Sequence, residues 1–183
     1  YSPTRLLTEK YLNEFNITAK FYDPNNLDTI KKNISNKTKL IYVENPGSNT
    51  FEFQDLGKIL SIAKTKKIYT AIDNTWGTPY FLRPIKLGFD MSIVSATKYY
   101  SGHSDVMGGT LAVSKRVFRK VLLAQNMTGL RLSPDDAYFI MRGLRTLDVR
   151  LDRHEQNTNL VVKFLSKKKN ICLLYTSPSP RDS

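Results

Sequence analysis

Short β-rich segments alternate with helix-like segments through the middle of the chain. The runs 40–44, 68–73 and 91–95 are rich in Ile, Val and Tyr, and 110–113 resembles them. From Leu56, apolar residues recur at i, i+3, i+4 and i+7, which is the spacing of one helix face. Strands that alternate with helices are typical of a parallel sheet covered on both faces. We therefore expect an α/β fold, a three-layer sandwich around a mainly parallel sheet.

Capping signals and a long apolar stripe predict the other helices. Ser-Pro pairs at 2–3 and 133–134 each place a capping residue before a proline at the first helical position. The first pair predicts a helix that runs to about Phe15. The stripe from Leu147 to Leu165 predicts one long helix near the end of the chain.

The composition excludes several classes of protein. The chain has 183 residues, of which 40% are hydrophobic and 24% charged, as in ordinary globular domains. No apolar run approaches the ~18 residues that a membrane span needs, so we expect no membrane association. The single cysteine, Cys172, cannot form an internal disulfide and fits a reducing, cytoplasmic compartment. We expect no metal site.

The net charge of +12 raises the alternative of a nucleic-acid-binding protein. The lysines, however, fall in short separate groups such as 31–32, 64–67 and 167–169, and no nucleic-acid-binding motif accompanies them. Solvated surfaces are the favoured interpretation, and we expect no nucleic-acid partner. A noncatalytic basic binding module stays an alternative, and its affinity would fall steeply with salt.

Polar residues follow three of the predicted strands. Glu44, Asp73 and Ser95 end their strands, and Thr97 and Lys98 come directly after. The carboxyl ends of parallel strands share one edge of the sheet, where ligands of open α/β sheets bind. We therefore expect these side chains to converge on one rim.

This set of side chains fits the needs of a pyridoxal phosphate enzyme, which requires an amine, a carboxylate for the pyridine nitrogen, and phosphate ligands. Lys98 and Asp73 supply the first two. Ser95 and Thr97 are two residues apart, so strand alternation predicts that both hydroxyls face the phosphate. Tyr1 is a candidate to stack on the ring. Taken singly, each residue has a commoner structural explanation, such as a surface lysine or a turn-forming aspartate. Their joint occurrence favours a site.

Several ordered motifs resemble the family of pyridoxal phosphate enzymes of cysteine and methionine metabolism. They are Tyr-Ser-Pro-Thr at 1–4, Glu-Asn-Pro-Gly-Ser at 44–48, Asp-Asn-Thr-Trp at 73–76, Ser-Ala-Thr-Lys-Tyr at 95–99, Gly-His-Ser-Asp at 102–105 and Arg-Gly-Leu-Arg-Thr-Leu at 142–147. The resemblance implies the large domain of the fold type I transferase fold. It also implies that the intact protein is a homo-oligomer, a dimer of dimers.

The resemblance also implies roles for single residues. Lys98 would bind the cofactor covalently and carry protons, and Asp73 would pair with the pyridine nitrogen. Ser95 and Thr97 would contact the phosphate. Tyr1 would stack on the ring, which makes Lys98 and Tyr1 the candidate catalytic residues.

The branch of the family is indicated by the residues after Glu44. At 47–48 this chain has Gly-Ser, where much of the family has Thr-Asn, and Trp76 directly follows the Asp-Asn-Thr motif. Both features resemble the bacterial cystathionine β-lyases. The implied reaction is β-elimination of cystathionine to homocysteine, pyruvate and ammonia, a transsulfuration step of methionine biosynthesis. Ser48 becomes a candidate substrate contact. The γ-acting relatives, cystathionine γ-synthase, cystathionine γ-lyase and methionine γ-lyase, stay open.

The resemblance implies that the chain divides into three parts. Residues 1–146 would form the pyridoxal-phosphate-binding large domain without its N-terminal part. Residues 147–170 would form a long helix that leads towards a C-terminal domain outside the chain. The Ser/Pro-rich residues 171–183 look like a non-native tail. We expect such a fragment to be inactive alone.

Overall fold

The computed structural model describes residues 1–171, and within them one sheet of four strands forms. The strands are β1 (Leu40–Glu44), β2 (Tyr69–Asp73), β3 (Met91–Ser95) and β4 (Gly109–Val113). Their order in the sheet is the order in the sequence. The pairs β1–β2 and β2–β3 are parallel, whereas β3–β4 is antiparallel. The prediction of a mainly parallel sheet is confirmed.

Helices precede β1, lie between β1 and β3, and follow β4. They are α1 (Ser2–Leu6), α2 (Asp28–Asn33), α3 (Leu56–Thr65), α4 (Thr78–Phe81), α5 (Pro84–Leu87), α6 (Phe118–Thr128), α7 (Pro134–Leu144) and α8 (Leu147–Leu165). After α1, a π-helical turn (Leu7–Tyr11) and a 3₁₀ turn (Leu12–Phe15) extend the helical segment to the predicted residue.

Capping explains where two of the longer helices begin. Ser133 precedes Pro134, and its hydroxyl accepts a hydrogen bond from the backbone nitrogen of Asp136 at 3.0 Å. Asp55 caps α3 in the same way, through the backbone nitrogen of Lys58 at 2.8 Å. At the first Ser-Pro pair the prediction is one residue off, because Ser2 lies inside α1 and Tyr1 takes the capping position.

One face of the sheet carries the main core. The β1–β2 register aligns Val43 with Ile72, and both side chains are almost completely buried. Ile30 of α2 and Ile59 of α3 pack against them. A second buried cluster joins Val94 of β3 to α7 and to the turn after the strand. Burial of these apolar side chains is the main force that holds the helices on this face.

Helices also contact the opposite face of the sheet. The phenol of Tyr42 in β1 is hydrogen-bonded to Thr4 of α1. In the neighbouring strand β2, the hydroxyl of Tyr69 accepts a hydrogen bond from Lys120 Nζ of α6 at 2.9 Å. The sheet therefore lies between two helical layers, and the predicted fold class is confirmed.

The long predicted helix is present as α8, but little of it is covered by the described residues. Leu151 is its one buried side chain, whereas Leu160, Val161 and Phe164 are more than half exposed. The stretch predicted as a tail lies, from residue 172 onwards, outside the described residues. Among helices within residues 1–171, none combines the length and the apolar character needed to cross a bilayer.

Candidate active site

The carboxyl edge of the sheet brings three of the predicted rim residues, Glu44, Asp73 and Ser95, onto one face. Parallel pairing sets Glu44 directly opposite Asp73, and Asp73 opposite Ile93. Ser95 lies two residues beyond Ile93 on the same strand, so its side chain points to the same face. The strand ends of β1, β2 and β3 therefore present two carboxylates and a hydroxyl side by side.

Lys98 lies in a turn that begins where β3 ends. Its backbone nitrogen donates to the carbonyl oxygen of Ser95 at 3.3 Å, and its own carbonyl oxygen accepts from the backbone nitrogen of Gly102 at 2.8 Å. The side chain is exposed, and Nζ lies 5.2 Å from the centroid of the Tyr1 ring. This is the geometry of a cation–π contact. The structure therefore brings together Lys98 and Tyr1.

Asp73 is held by a residue that the sequence analysis did not identify, Thr75. The backbone nitrogen of Thr75 donates to Asp73 Oδ1 at 2.9 Å, and its hydroxyl accepts from the backbone nitrogen of Ser95 at 2.8 Å. Thr75 thus connects the end of β2 to the end of β3. The Asp-x-Thr spacing is a signal for such a turn, because aspartate commonly bonds to the backbone two residues on.

Tyr42 is a second residue that the sequence analysis did not single out. Burial, and next the charge of Asp73, raise the pKa of Tyr42 to about 12. The phenol therefore stays neutral near neutral pH and can donate hydrogen bonds beside the carboxylate. Strand alternation provides a signal, because Tyr42 and Glu44 share one face of β1.

Thr97 differs from the prediction based on strand alternation. Strand β3 ends at Ser95, so Thr97 belongs to the following turn. Its hydroxyl accepts from the backbone nitrogen of Gly108 at 2.9 Å and donates to the carbonyl oxygen of Gly108 at 3.3 Å. The alternation argument is therefore wrong for Thr97, whereas Ser95 keeps the predicted face. A contact of either hydroxyl with a phosphate stays a prediction.

Ser48 and Tyr1 both contact Glu44. The Ser48 hydroxyl donates to Glu44 Oε1, and the terminal ammonium of Tyr1 lies 2.7 Å from Glu44 Oε2. Glu44 therefore joins the start of α1 to the loop after β1. Ser48 lies at the same rim as Asp73, and its contact with a substrate stays a prediction.

The chemistry of these side chains fits pyridoxal phosphate. An exposed primary amine lies beside an aromatic ring, and a half-buried carboxylate lies on the same face of the sheet, with the Ser95 side chain pointing to that face. Such a set can bind an aldehyde, hold a protonated ring nitrogen and donate to a phosphate. Lys98, Asp73, Ser95 and Tyr1 are the residues that would hold the cofactor.

An open cavity of about 970 Å³ lies against the Lys98 turn. Its lining includes Thr97, Lys98, Arg150 and His154, but not Asp73 or Ser95. The cavity and the strand rim therefore both adjoin the Lys98 turn. We assign the candidate active site to the strand rim, because the carboxylate and the aromatic ring lie there.

The sequence matches the family described as Cys/Met metabolism PLP-dependent enzyme over residues 1–180. The chain belongs to this family, whose members are enzymes that depend on pyridoxal phosphate. The resemblance predicted from the motifs is confirmed, and the predicted cofactor is the cofactor of the family.

Individual relatives carry different names. The chain is 37% identical over 176 residues to a cystathionine γ-lyase of Bacillus subtilis, covering 96% of this chain and 46% of the relative. It is 36% identical over 176 residues to a cystathionine β-lyase of Lactococcus lactis subsp. cremoris, with the same coverage, 96% and 46%. The chain thus spans less than half the length of these curated relatives.

A solved structure supports the same fold. It is a Campylobacter jejuni protein assigned as an O-acetylhomoserine (thiol)-lyase, and it contains N'-pyridoxyl-lysine-5'-monophosphate. The TM-score is 0.85 at 30% sequence identity, and the match covers 93% of this chain and 50% of that one.

Proposed function

We propose that the protein is a pyridoxal-phosphate-dependent carbon–sulfur lyase that converts cystathionine and water into homocysteine, pyruvate and ammonia. The observation that carries the proposal is the shared rim, with the Lys98 amine beside the Tyr1 ring and Asp73 at the end of β2. This arrangement supports a cofactor-binding role for the three residues.

Lys98 is the proposed catalytic base. When bound, the cofactor withdraws electrons from the α-carbon of the substrate, which lowers the cost of removing its proton. Lys98 Nζ would bind the cofactor at rest and, once the substrate amine takes its place, accept the α-proton. The exposed position of Lys98 in its turn leaves the amine free to move between these two tasks.

Asp73 is the proposed partner of the pyridine nitrogen. Its Oδ1 is already oriented by the backbone nitrogen of Thr75, so the carboxylate needs little rearrangement to accept a hydrogen bond from the ring. The neutral Tyr42 beside it contributes a dipole without a competing charge. We propose that Ser95, and Thr97 after a rearrangement of its Gly108 contact, donate to the phosphate.

The choice of β-elimination rests on Gly47-Ser48 and Trp76. Relatives of comparable identity are named as β-lyases and as γ-lyases, so γ-elimination is the second candidate reaction. The Ser48–Glu44 hydrogen bond supports a role for this loop at the rim. Tyr1 and Ser48 both contact Glu44, so the loop to which we attribute the difference between the branches lies next to the proposed stacking residue.

Product analysis tests the proposed function. The intact protein would be loaded with pyridoxal phosphate and given cystathionine, and the 2-oxo acid identified. Pyruvate supports β-elimination, whereas 2-oxobutyrate supports γ-elimination. If neither acid forms and the protein instead binds polyanions with a steep salt dependence, the noncatalytic basic module is the better account.

We also propose that the intact protein is a cytoplasmic homo-oligomer, with residues 1–146 as its cofactor-binding domain. On α8 the apolar side chains of Leu160, Val161 and Phe164 are exposed. This exposure supports the proposal that another surface covers them in the assembled protein. Light scattering of the intact protein would measure its mass in solution. A monomer at micromolar concentration would contradict this proposal.

A further inference from the structure

The backbone of α7 touches the turn that carries Lys98. At Gly143, a Cβ atom would lie 2.1 Å from the carbonyl oxygen of Tyr100 and 2.3 Å from that of Ser101. These neighbours are backbone atoms, which cannot move aside as a flexible side chain can. Only glycine permits this approach. The turn therefore packs directly on the helix, without a layer of side chains between them.

Arg150, in the first turns of α8, closes this contact from the other side. Its Nη2 donates to the carbonyl oxygen of Gly143 at 2.8 Å, and its Nε donates to the hydroxyl of Thr146 at 3.1 Å. The same guanidinium covers Gly102, where a Cβ atom would lie 2.6 Å from Nη1. Arg150 thus contacts both the helix and the turn.

Gly102 is the link between Arg150 and Lys98. Its backbone nitrogen donates to the carbonyl oxygen of Lys98 at 2.8 Å, and its φ of +73° is one that residues with a side chain rarely adopt. The turn is closed further by the hydrogen bond from the Ser101 backbone nitrogen to the carbonyl oxygen of Ala96 at 2.9 Å. A shift of Gly102 would therefore move the backbone of Lys98.

We propose that Arg150 is a positioning residue, which fixes the Lys98 turn against the α7–α8 junction and so sets where the Lys98 amine lies. The proposal rests on the proposed function for its catalytic consequence, but the position of the amine is independent of it. Arg150 has a planar fork whose two donors hold Gly143 and Thr146 in one orientation. A lysine at this position would keep the charge but lose this geometry.

The test compares Arg150→Lys with Arg153→Lys in the intact protein. Arg153 lies on the same helix and lines the same cavity, but its side chain is exposed. We expect Arg150→Lys to lower kcat about tenfold with little change in KM, because small displacements of a reacting group are costly. It should also shift the pH at which the lysine-bound cofactor changes its absorbance. Arg153→Lys should leave both within about twofold.

A second readout needs no cofactor and no activity. In the cofactor-free protein, acetylation of Lys98 by acetic anhydride is followed by peptide mass spectrometry, with the exposed Lys115 as internal reference. We expect the ratio of the two rates to change at least about threefold in Arg150→Lys. This ratio reports the surroundings of Lys98 even if Lys98 binds no cofactor.

Thr146→Ala is a second variant, for use if Arg150→Lys fails to fold. It removes only one of the two hydrogen-bond acceptors of the Arg150 guanidinium. We expect changes in the same direction as in Arg150→Lys, but smaller. The proposal is overturned if both variants lower the melting temperature while the acetylation ratio and the absorbance transition stay at the values of the unchanged protein. That result would make Arg150 a contributor to stability alone. Failure of the proposed function would instead appear as no cofactor on Lys98 in the unchanged protein.

Discussion

The amine of Lys98 lies 5.2 Å from the centre of the Tyr1 ring, although Tyr1 precedes the whole sheet and Lys98 follows its third strand. Removal of the ring should weaken cofactor binding. We expect Tyr1→Ala to raise the dissociation constant of pyridoxal phosphate about tenfold, because aromatic stacking is lost. Tyr1→Phe keeps the ring and should stay within about threefold. Absorbance titration measures both, and equal affinities for the two variants would contradict stacking by Tyr1.

Asp73 is expected to support turnover more than folding. Asp73→Asn removes the negative charge that would accept from the protonated ring nitrogen, an interaction worth about 1.5–3 kcal/mol. We therefore expect kcat to fall by at least about tenfold. Asp105→Asn is the control, because the Asp105 carboxylate is exposed and forms only a 3.5 Å pair with Arg142. Steady-state kinetics that show the same small effect for both variants would argue against the proposed role of Asp73.

The Thr97 hydroxyl should contribute to stability through Gly108. Thr97→Val leaves the backbone nitrogen of Gly108 without its acceptor and should cost about 1–3 kcal/mol of unfolding free energy. Thr97→Ser keeps the hydroxyl and should lose less. Ser95→Ala is the matched comparison, since we expect it to weaken phosphate binding more than stability. Urea denaturation measures these differences, and a valine variant as stable as the serine variant would contradict the structural role.

Two half-buried tyrosines should make the fold sensitive to alkali. Burial raises the pKa of Tyr22 to about 12, and burial together with the charge of Asp73 does the same for Tyr42. Ionisation in the unfolded chain begins near the ordinary value of 10.0. The contribution of the two neutral tyrosines to the free energy of unfolding is therefore complete below pH 10. This contribution is lost as the pH rises through 12.

Replacement by phenylalanine tests this dependence. The Tyr22→Phe, Tyr42→Phe double variant should lose less stability between pH 10 and 12 than the unchanged protein, as measured by denaturation at fixed pH. Asp73→Asn should bring the ionisation of Tyr42 to lower pH and leave that of Tyr22 in place. An unchanged Tyr42 titration in that variant would show that the charge of Asp73 does not contribute to the raised pKa.

Much of the rim follows from the sequence because parallel strands end at the same edge. The runs before Glu44, Asp73 and Ser95 identify strands, and the parallel arrangement then places these residues together. The direction of β4 does not follow from its apolar run, because an isolated strand pattern carries no information on its partner.

Contacts made by turns were harder to predict. The position of Thr97 depends on where β3 ends, and period-two alternation has no meaning beyond that point. The bridge through Thr75 requires the register of two strands that are distant in sequence. The contact of Gly143 with the Lys98 turn joins residues that are even farther apart in sequence. No local pattern around Gly143 indicates this contact. Such contacts arise from tertiary packing and not from local propensity.

The most direct test of the account is to identify the lysine that binds the cofactor. The intact protein would be incubated with pyridoxal phosphate, reduced with borohydride, digested and mapped by mass spectrometry, with Lys98→Arg as the control. We predict one phosphopyridoxyl group on the peptide that contains Lys98 and none on that peptide in the arginine variant. A label on another lysine, or no label on a folded protein, would contradict the assignment of Lys98 and the function built on it.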